Sequence, residues 1–436
     1  MVRLRQAFPR FLESRSAIYA IVVFGLFIRV IALARVGARP LYYENTAYDR
    51  MALQLLSGAK FAPYWPPGVP YYLELSHRVF GDGLLVARAS ILLIYIGFCF
   101  ALYALVRELW SRRTANLTVL AFALYPSYIR WAFNPSTEYP AAALLVAIAW
   151  LAIVTLRRGS VPHAIALGLL LGVLTLVRGS SLGLVLFVPG FLYFRTRRLT
   201  LAIAPLLIAA VPIAGWLWKA HDMTGRFVPV NDSNAQNFFQ SNNAWTPLYN
   251  TCIGGPVPWN VPPQLAQLEH EIECQAASQQ QATYRRLAIE HILARPDLFL
   301  LRTFNRFRAF FCFPMHRGEP LTGSAAKAWL GLVITAVELC FYWPIMILGI
   351  AACFQRWPEP VSVALLLLVI FVYAAPCFVT CSQPRYNFPV VPLFAALAAG
   401  FLEKGTTLRR KSWAMWLTLA FFAYIQIEWM VFVATS

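Results

Sequence analysis

Eleven long apolar stretches constrain this chain more than any other feature. Runs of about 17 to 25 residues match the length needed to cross a hydrocarbon core of roughly 30 Å. They fall at Ser16–Val36, Gly83–Leu105, Thr114–Phe133, Tyr139–Leu156, His163–Val177, Ser181–Phe194, Leu199–Trp218, Ala328–Phe354, Pro360–Thr380, Asn387–Leu402 and Ser412–Val433, the shortest pair flanking Arg178. Within hydrocarbon every backbone N–H and C=O needs a partner inside the protein, so runs of this length fold as helices. The expected fold class is an all-α polytopic membrane protein of about eleven transmembrane helices, one domain over residues 1–436. With hydrophobic residues at 59% and charged ones at 13%, a water-soluble globular domain is excluded.

The formal charge of +18 has its place in such a chain, because basic residues gather at cytoplasmic helix ends and around phosphate ligands. No zinc-finger spacing and no basic-aromatic module accompanies it, so membrane lipid is an expected partner and nucleic acid is not. Short loops set the orientation. With the N-terminus inside, the inner segments carry Arg3, Arg5, Arg10 and Arg15, then Arg107, Arg112 and Arg113, then Arg157 and Arg158, then Arg195, Arg197 and Arg198, and finally Arg356, Lys404, Arg409, Arg410 and Lys411. The short outer loops hold only Arg178 and Arg385. Arg35 and Arg39 follow the first apolar run where a signal-peptide cleavage site would need small residues, so that run reads as a retained helix.

Two long segments then fall outside, 37–82 and 219–327. The second ends in ATYRRLAIEHILARPDLFLLRTFNRFRAFF, with apolar residues at helical spacing and Arg302, Arg306 and Arg308 on the other face. An interfacial helix whose arginines reach headgroups is the expectation, and a solvated basic face the alternative. Cys99, Cys340 and Cys353 lie within spans as small core residues, while Cys252 and Cys274 share the large outer loop, where an oxidising compartment would allow a bridge. A bridge between Cys377 and Cys381 would require the helix to relax.

Ionisable groups at membrane depth or just outside it mark the candidate chemistry. Glu44 and Asp49 open the first outer segment, Glu138 follows the bend AFNPSTEYP, Arg178 stands between two short spans, and Arg385 and Tyr386 stand in CSQPRYNFPVVP. All lie at the outer level in this topology. Interfacial salt bridges are the plain alternative.

The pattern Glu44-x3-Tyr48-x3-Ala52-x3-Leu56-x-Gly58, followed by Pro66-Pro67-Gly68, resembles the first outer loop of the GT-C glycosyltransferases that use polyprenyl-phosphate sugars. ALYPSYIRWAFNPSTE, GLLLGVLTLVRGSSL, GRFVPVNDSNAQNFFQSNN, ARPDLFLLRTFNRFRAFF and PRYNFPVVP continue the resemblance in order, to about Leu402. The branch resembled is that of the bacterial relatives of dolichyl-phosphate-mannose protein mannosyltransferases, with the lipid A aminoarabinose transferase and the arabinofuranosyltransferases. One departure is Glu44, where relatives usually carry aspartate.

The resemblance implies a GT-C-like fold in which segments 37–82 and 219–327 are outer loops carrying short interfacial helices. It further implies an inverting hexosyl- or pentosyltransferase of a bacterial inner membrane, moving sugar from a polyprenyl-phosphate donor to a protein, lipid or glycan acceptor. The attacking acceptor must lose a proton, which a carboxylate can take. Glu44 is the first choice as base, with Asp49 or Glu138 as second carboxylate. Negative charge grows on the departing lipid phosphate, and fixed cations would stabilise it. Arg178, Arg385, Lys219, Arg302 and Arg306 are the candidates. Tyr48, Tyr64, Trp65 and Tyr386 are candidate sugar contacts or an aromatic belt. Asn242 and Asn243 bind hydroxyls or make turns. Oxygen ligands would suit magnesium or manganese, with no ligand assigned; the histidines His77, His221, His270, His291 and His316 read as surface residues. A secondary transporter and a non-catalytic envelope-assembly subunit are the competing classes.

Overall fold

The computed structural model describes residues 11–38, 43–59, 63–249, 261–314, 328–404 and 413–435. All of its regular structure among those residues is helical. Each of the eleven apolar runs coincides with helical structure. In chain order the helices are α1 (Ala17–Val36), α2 (Tyr43–Leu56), α3 (Gly68–Phe80), α4 (Leu84–Leu109), α5 (Arg112–Leu124), α6 (Pro126–Arg130), α7 (Glu138–Arg158), α8 (Val161–Val177), α9 (Leu182–Thr196) and α10 (Thr200–Thr224). There follow α11 (Ser233–Gln240), α12 (Pro263–Glu273), α13 (Ala277–Ala294), α14 (Pro296–Phe310), α15 (Ala328–Ala352), α16 (Pro360–Val379), α17 (Val391–Lys404) and α18 (Trp413–Thr435). Seven of them are long and apolar enough on their own to cross a membrane, among the described residues. Packing rests on small residues where backbones approach: a Cβ on Gly168 of α8 would stand 2.5 Å from the Pro205 carbonyl oxygen of α10, and one on Gly172 would stand 2.6 Å from that of Ala209.

The run expected to be one span at Thr114–Phe133 is broken. Pro126 has no N–H and drives Tyr125 out of the helical region, so α5 stops at Leu124 and the five-residue α6 starts afresh. Such a break orphans backbone groups inside hydrocarbon, and charged side chains of two other helices meet them. From α1, the buried Arg29 donates to the carbonyls of Ala123 at 3.0 Å, Phe122 at 3.1 Å and Tyr128 at 3.1 Å. Its own Gly25 carbonyl accepts at 3.0 Å, and its guanidinium lies 3.9 Å from the centre of the Tyr95 ring. From α15, the buried Glu338 accepts from the Ser127 backbone N–H at 3.0 Å and the Ser127 hydroxyl at 2.7 Å. One charge caps the end of α5 and the other caps the start of α6.

Polar contacts gather at two opposite ends of the bundle. At one, Arg157 of α7 pairs with Glu108 of α4 at 3.1 Å and with Glu359 before α16, while Glu403 of α17 accepts from the Ser111 N–H at 3.1 Å. At the other end lie the short helices α2, α3 and α11–α14. The arginine-bearing ends of α4 and α7 and the described helices of the two long segments thus lie at different ends of the bundle.

Candidate functional site

The first long segment is clasped at the end of α8. Pro67 precedes α3, and Gly68 opens it so close to α8 that a Cβ would stand 2.7 Å from the Val177 backbone nitrogen. On the other side the 230–233 stretch holds it: the Asp232 N–H donates to the Pro63 carbonyl at 2.8 Å and the Asn231 amide to that of Tyr64 at 3.3 Å. The proline turn therefore fixes this segment directly beside Arg178, the residue after Val177.

Around Arg178 three separate parts of the chain meet. Arg178 caps the end of α8 with an extended backbone, and its guanidinium lies 4.8 Å from the Tyr386 ring centre and 5.7 Å from that of Tyr373. Charge over an aromatic face is favourable and leaves the N–H edges for other partners. Arg385 of the 3-10 turn Pro384–Asn387 lies 5.5 Å from the same Tyr386 ring, and its Nε stands 3.9 Å from Oε1 of Glu138. Glu138, the first residue of α7, is buried, as its place at a positive helix end allows. The buried Oγ atoms of Ser136 and Ser180, beside Glu138 and Arg178 in sequence, have no hydrogen-bond partner among the described residues. An apolar groove of about 330 Å³ between α3, α4, α7 and α8 is lined up to Val177 and Pro140, one residue from Arg178 and two from Glu138.

The other candidates are placed apart. Asp49 accepts from, or shares a proton with, Nε2 of His77 at 2.9 Å, joining α2 to α3, and His77 is buried. His77 is thus no surface residue; its partner, a carboxylate one helix away, gives a reason for that burial. His77→Ala is expected to destabilise the protein by about 2 kcal/mol, the usual worth of a buried hydrogen bond to a charged group. A double cycle with Asp49→Asn, read by unfolding in detergent, checks it; independent effects of the two changes would contradict the pairing. The backbone of Glu44 lies in α2, and its side chain is outside the described residues.

Arg302 and Arg306 are buried and turned away from solvent, contrary to the expected headgroup-facing arginines of α14. Leu300, Leu301 and Phe304 are the exposed face instead. Arg302 donates to the Asn243 carbonyl at 3.1 Å and to that of Thr246, and Arg306 to the Val379 carbonyl at 2.9 Å and to that of Ser241. Burial, with Arg302 and Arg295 nearby, holds the His291 imidazole below its ordinary range, in keeping with a neutral ring 3.3 Å from Arg302. A loop of irregular backbone needs donors for its carbonyls, and these arginines supply them.

Asn242 and Asn243 are buried, with amides given to the carbonyls of Phe238 at 2.9 Å and Phe239 at 3.0 Å, so they make turns. Lys219 is exposed and pairs with Asp222 at 3.5 Å. Tyr48 is buried 5.9 Å from Trp65, which stands edge-on 5.0 Å from Tyr64. Cys274 and Cys377 are free, so neither of the two bridges considered, Cys252–Cys274 and Cys377–Cys381, is formed, while Cys381 is disulfide-bonded. Among the described residues no group of three or more His, Cys, Asp or Glu side chains is placed to hold a metal ion. Sequence reasoning missed Ser136, Ser180 and Tyr373, whose place in the site depends on packing across α7, α8 and α16.

Residues 65–218, about a third of the chain, match the family model for dolichyl-phosphate-mannose-protein mannosyltransferase. Comparison with curated protein sequences returns no match. Among solved structures, the chain is similar to the apo oligosaccharyltransferase of Archaeoglobus fulgidus, with a TM-score of 0.51 at 12% identity over 97% of this chain and 56% of that one. It is also similar to ArnT from Cupriavidus metallidurans bound to undecaprenyl phosphate, with a TM-score of 0.43 at 15% identity over 90% of this chain and 79% of that one. The chain spans about half the length of the archaeal protein. By its fold, this is a multi-pass membrane protein similar to that archaeal oligosaccharyltransferase.

Proposed function

We propose that the protein is a membrane glycosyltransferase that moves a sugar from a polyprenyl-phosphate donor to an envelope acceptor, with inversion. The observation that supports this best is the meeting of Arg178, Arg385, Glu138 and Tyr386, in a protein whose apolar groove is lined as far as Val177 and Pro140, their near neighbours in sequence. A lipid phosphate is the ligand such a place suits: its tail fits an apolar groove and its head needs cations. In this reading Arg178 and Arg385 stabilise the phosphate as it leaves, and Glu138 holds Arg385 in position. Tyr373 and Tyr386 carry Arg178 on their faces. The unpartnered hydroxyls of Ser136 and Ser180 are available to oxygen atoms of the ligand. Arg302 and Arg306 shape the outer loop rather than touch the donor.

The base is assigned to Glu44 by sequence resemblance, since Asp49 is engaged by His77. The disulfide at Cys381, whose sulfur lies 3.9 Å from the Tyr386 hydroxyl, supports an oxidising compartment on this face, as outside a bacterial inner membrane. The loop after Lys219 would shape acceptor choice.

A transporter reading draws on the broken helix and its two intramembrane charges. Those charges are committed to backbone groups of the break itself, so enzyme remains the better reading. Purified protein incubated in detergent with radiolabelled polyprenyl-phosphate mannose and arabinose donors and an envelope extract is expected to transfer label, and Glu44→Gln is expected to abolish transfer while unfolding behaviour is retained. No transfer from either donor class, together with solute flux in sealed vesicles, would overturn the proposal.

A further inference from the structure

At the end of the bundle opposite this site, the surface between α5, α15 and α17 is hollowed into a groove of about 580 Å³. Its depth comes from small side chains, Ala121, Ala395, Ala398 and Ala399, set among leucines and Pro344. Its mouth is polar, with Ser111, Arg113, Thr114 and Glu403. The Glu403 carboxylate is turned to the chain, accepting from the Ser111 N–H at 3.1 Å and the Ser111 hydroxyl at 2.9 Å. Arg113 is exposed and makes no hydrogen bond or ion pair among the described residues, and the exposed Lys404 closes α17 one residue beyond Glu403. The free charge at the mouth is therefore positive.

We propose that this groove binds one molecule of an anionic glycerophospholipid from the surrounding leaflet, an acyl chain lying along the alanines and the phosphate at Arg113. An apolar trough that ends in polar groups fits an amphiphile, and the spare cation selects its sign. Basic pockets between helices on the arginine-rich side of a membrane protein hold anionic headgroups by this logic, each cation contributing on the order of 1 kcal/mol, about fivefold in affinity. The site is separate from the proposed transfer chemistry, at the other end of the helices.

Native mass spectrometry of the delipidated full-length protein, titrated with phosphatidylglycerol or with phosphatidylcholine of the same acyl chains, tests it. Phosphatidylglycerol is expected to bind the more tightly. Arg113→Gln, at an exposed position that leaves folding intact, is expected to weaken it about fivefold with phosphatidylcholine unchanged. Ala398→Trp, which fills the trough, is expected to weaken both lipids. Equal binding of the two lipids overturns the proposal, as does phosphatidylglycerol binding insensitive to Arg113→Gln. Sensitivity to Arg113→Gln with indifference to Ala398→Trp overturns it as well, since the lipid would then sit on surface charge alone.

Discussion

Replacing Arg29 with leucine is expected to destabilise the protein by about 3 kcal/mol, among the largest effects of any change outside the proposed site. Two contributions oppose each other. Leucine removes the desolvation penalty of a charge held in the membrane with carbonyls and a tyrosine face as partners. It also strands the carbonyls of Phe122, Ala123 and Tyr128, which stay buried at the break because Pro126 still forbids a continuous helix. Interhelical hydrogen bonds in membranes average about 0.6 kcal/mol, so the three to Phe122, Ala123 and Tyr128 alone give about 1.8 kcal/mol, and the guanidinium makes them charge-assisted and so stronger. Loss of acceptor satisfaction therefore outweighs relief of desolvation. Arg29→Lys, a point charge that cannot span four carbonyls, should fall between. Thermal unfolding in detergent measures all three proteins; an Arg29→Leu midpoint equal to or above the parent's would show that the cap is dispensable.

That cap also marks where sequence reasoning stops. The apolar runs are legible as helices because the hydrocarbon core imposes a narrow range of length and composition, and seven helices meet it on their own among the described residues. The break at Tyr125–Pro126 is not, since tyrosine, proline and serine interrupt the run without making it polar. Arg29 and Glu338 are each one charge in an otherwise apolar helix. Their partners lie 94 residues from Arg29 at Ala123 and 211 from Glu338 at Ser127, a relation no local pattern encodes.

Helix α14 fails differently. Its periodicity is correct, and the assignment of faces is reversed. Beside a membrane an apolar face can turn outward to lipid while the arginines turn inward to irregular backbone, as Arg302 and Arg306 do. His77 shows the same limit: a lone histidine reads as surface until the packing of α2 against α3 brings Asp49 to 2.9 Å. By contrast, Glu138, Arg178, Arg385 and Tyr386 were all visible as polar residues at one membrane level. Their grouping could be anticipated from topology alone, though their contacts could not.

Within that group Arg178→Gln is expected to lower the transfer rate on the order of a hundredfold, about 2.7 kcal/mol of transition-state stabilisation. The reason is where charge grows. A lipid phosphodiester carries one negative charge before reaction and gains a second as the sugar departs, so a cation fixed beside it binds the transition state more strongly than the donor. Arg178 is fixed: its backbone caps α8, and Tyr386 and Tyr373 lie beneath its guanidinium, so little reorganisation accompanies the reaction. The loss should fall mainly on kcat, with KM for the donor changed far less, because the ground-state phosphate retains Arg385. Glu138→Gln should act through Arg385 and cost less, about tenfold, and combining it with Arg385→Gln should add little, since both remove one support. Steady-state transfer assays on the four variants, with unfolding midpoints as the control for folding, decide the matter. Arg178→Gln at the parental rate, or a loss confined to KM, would place this arginine outside the reaction and leave it a structural clamp between α8 and α16.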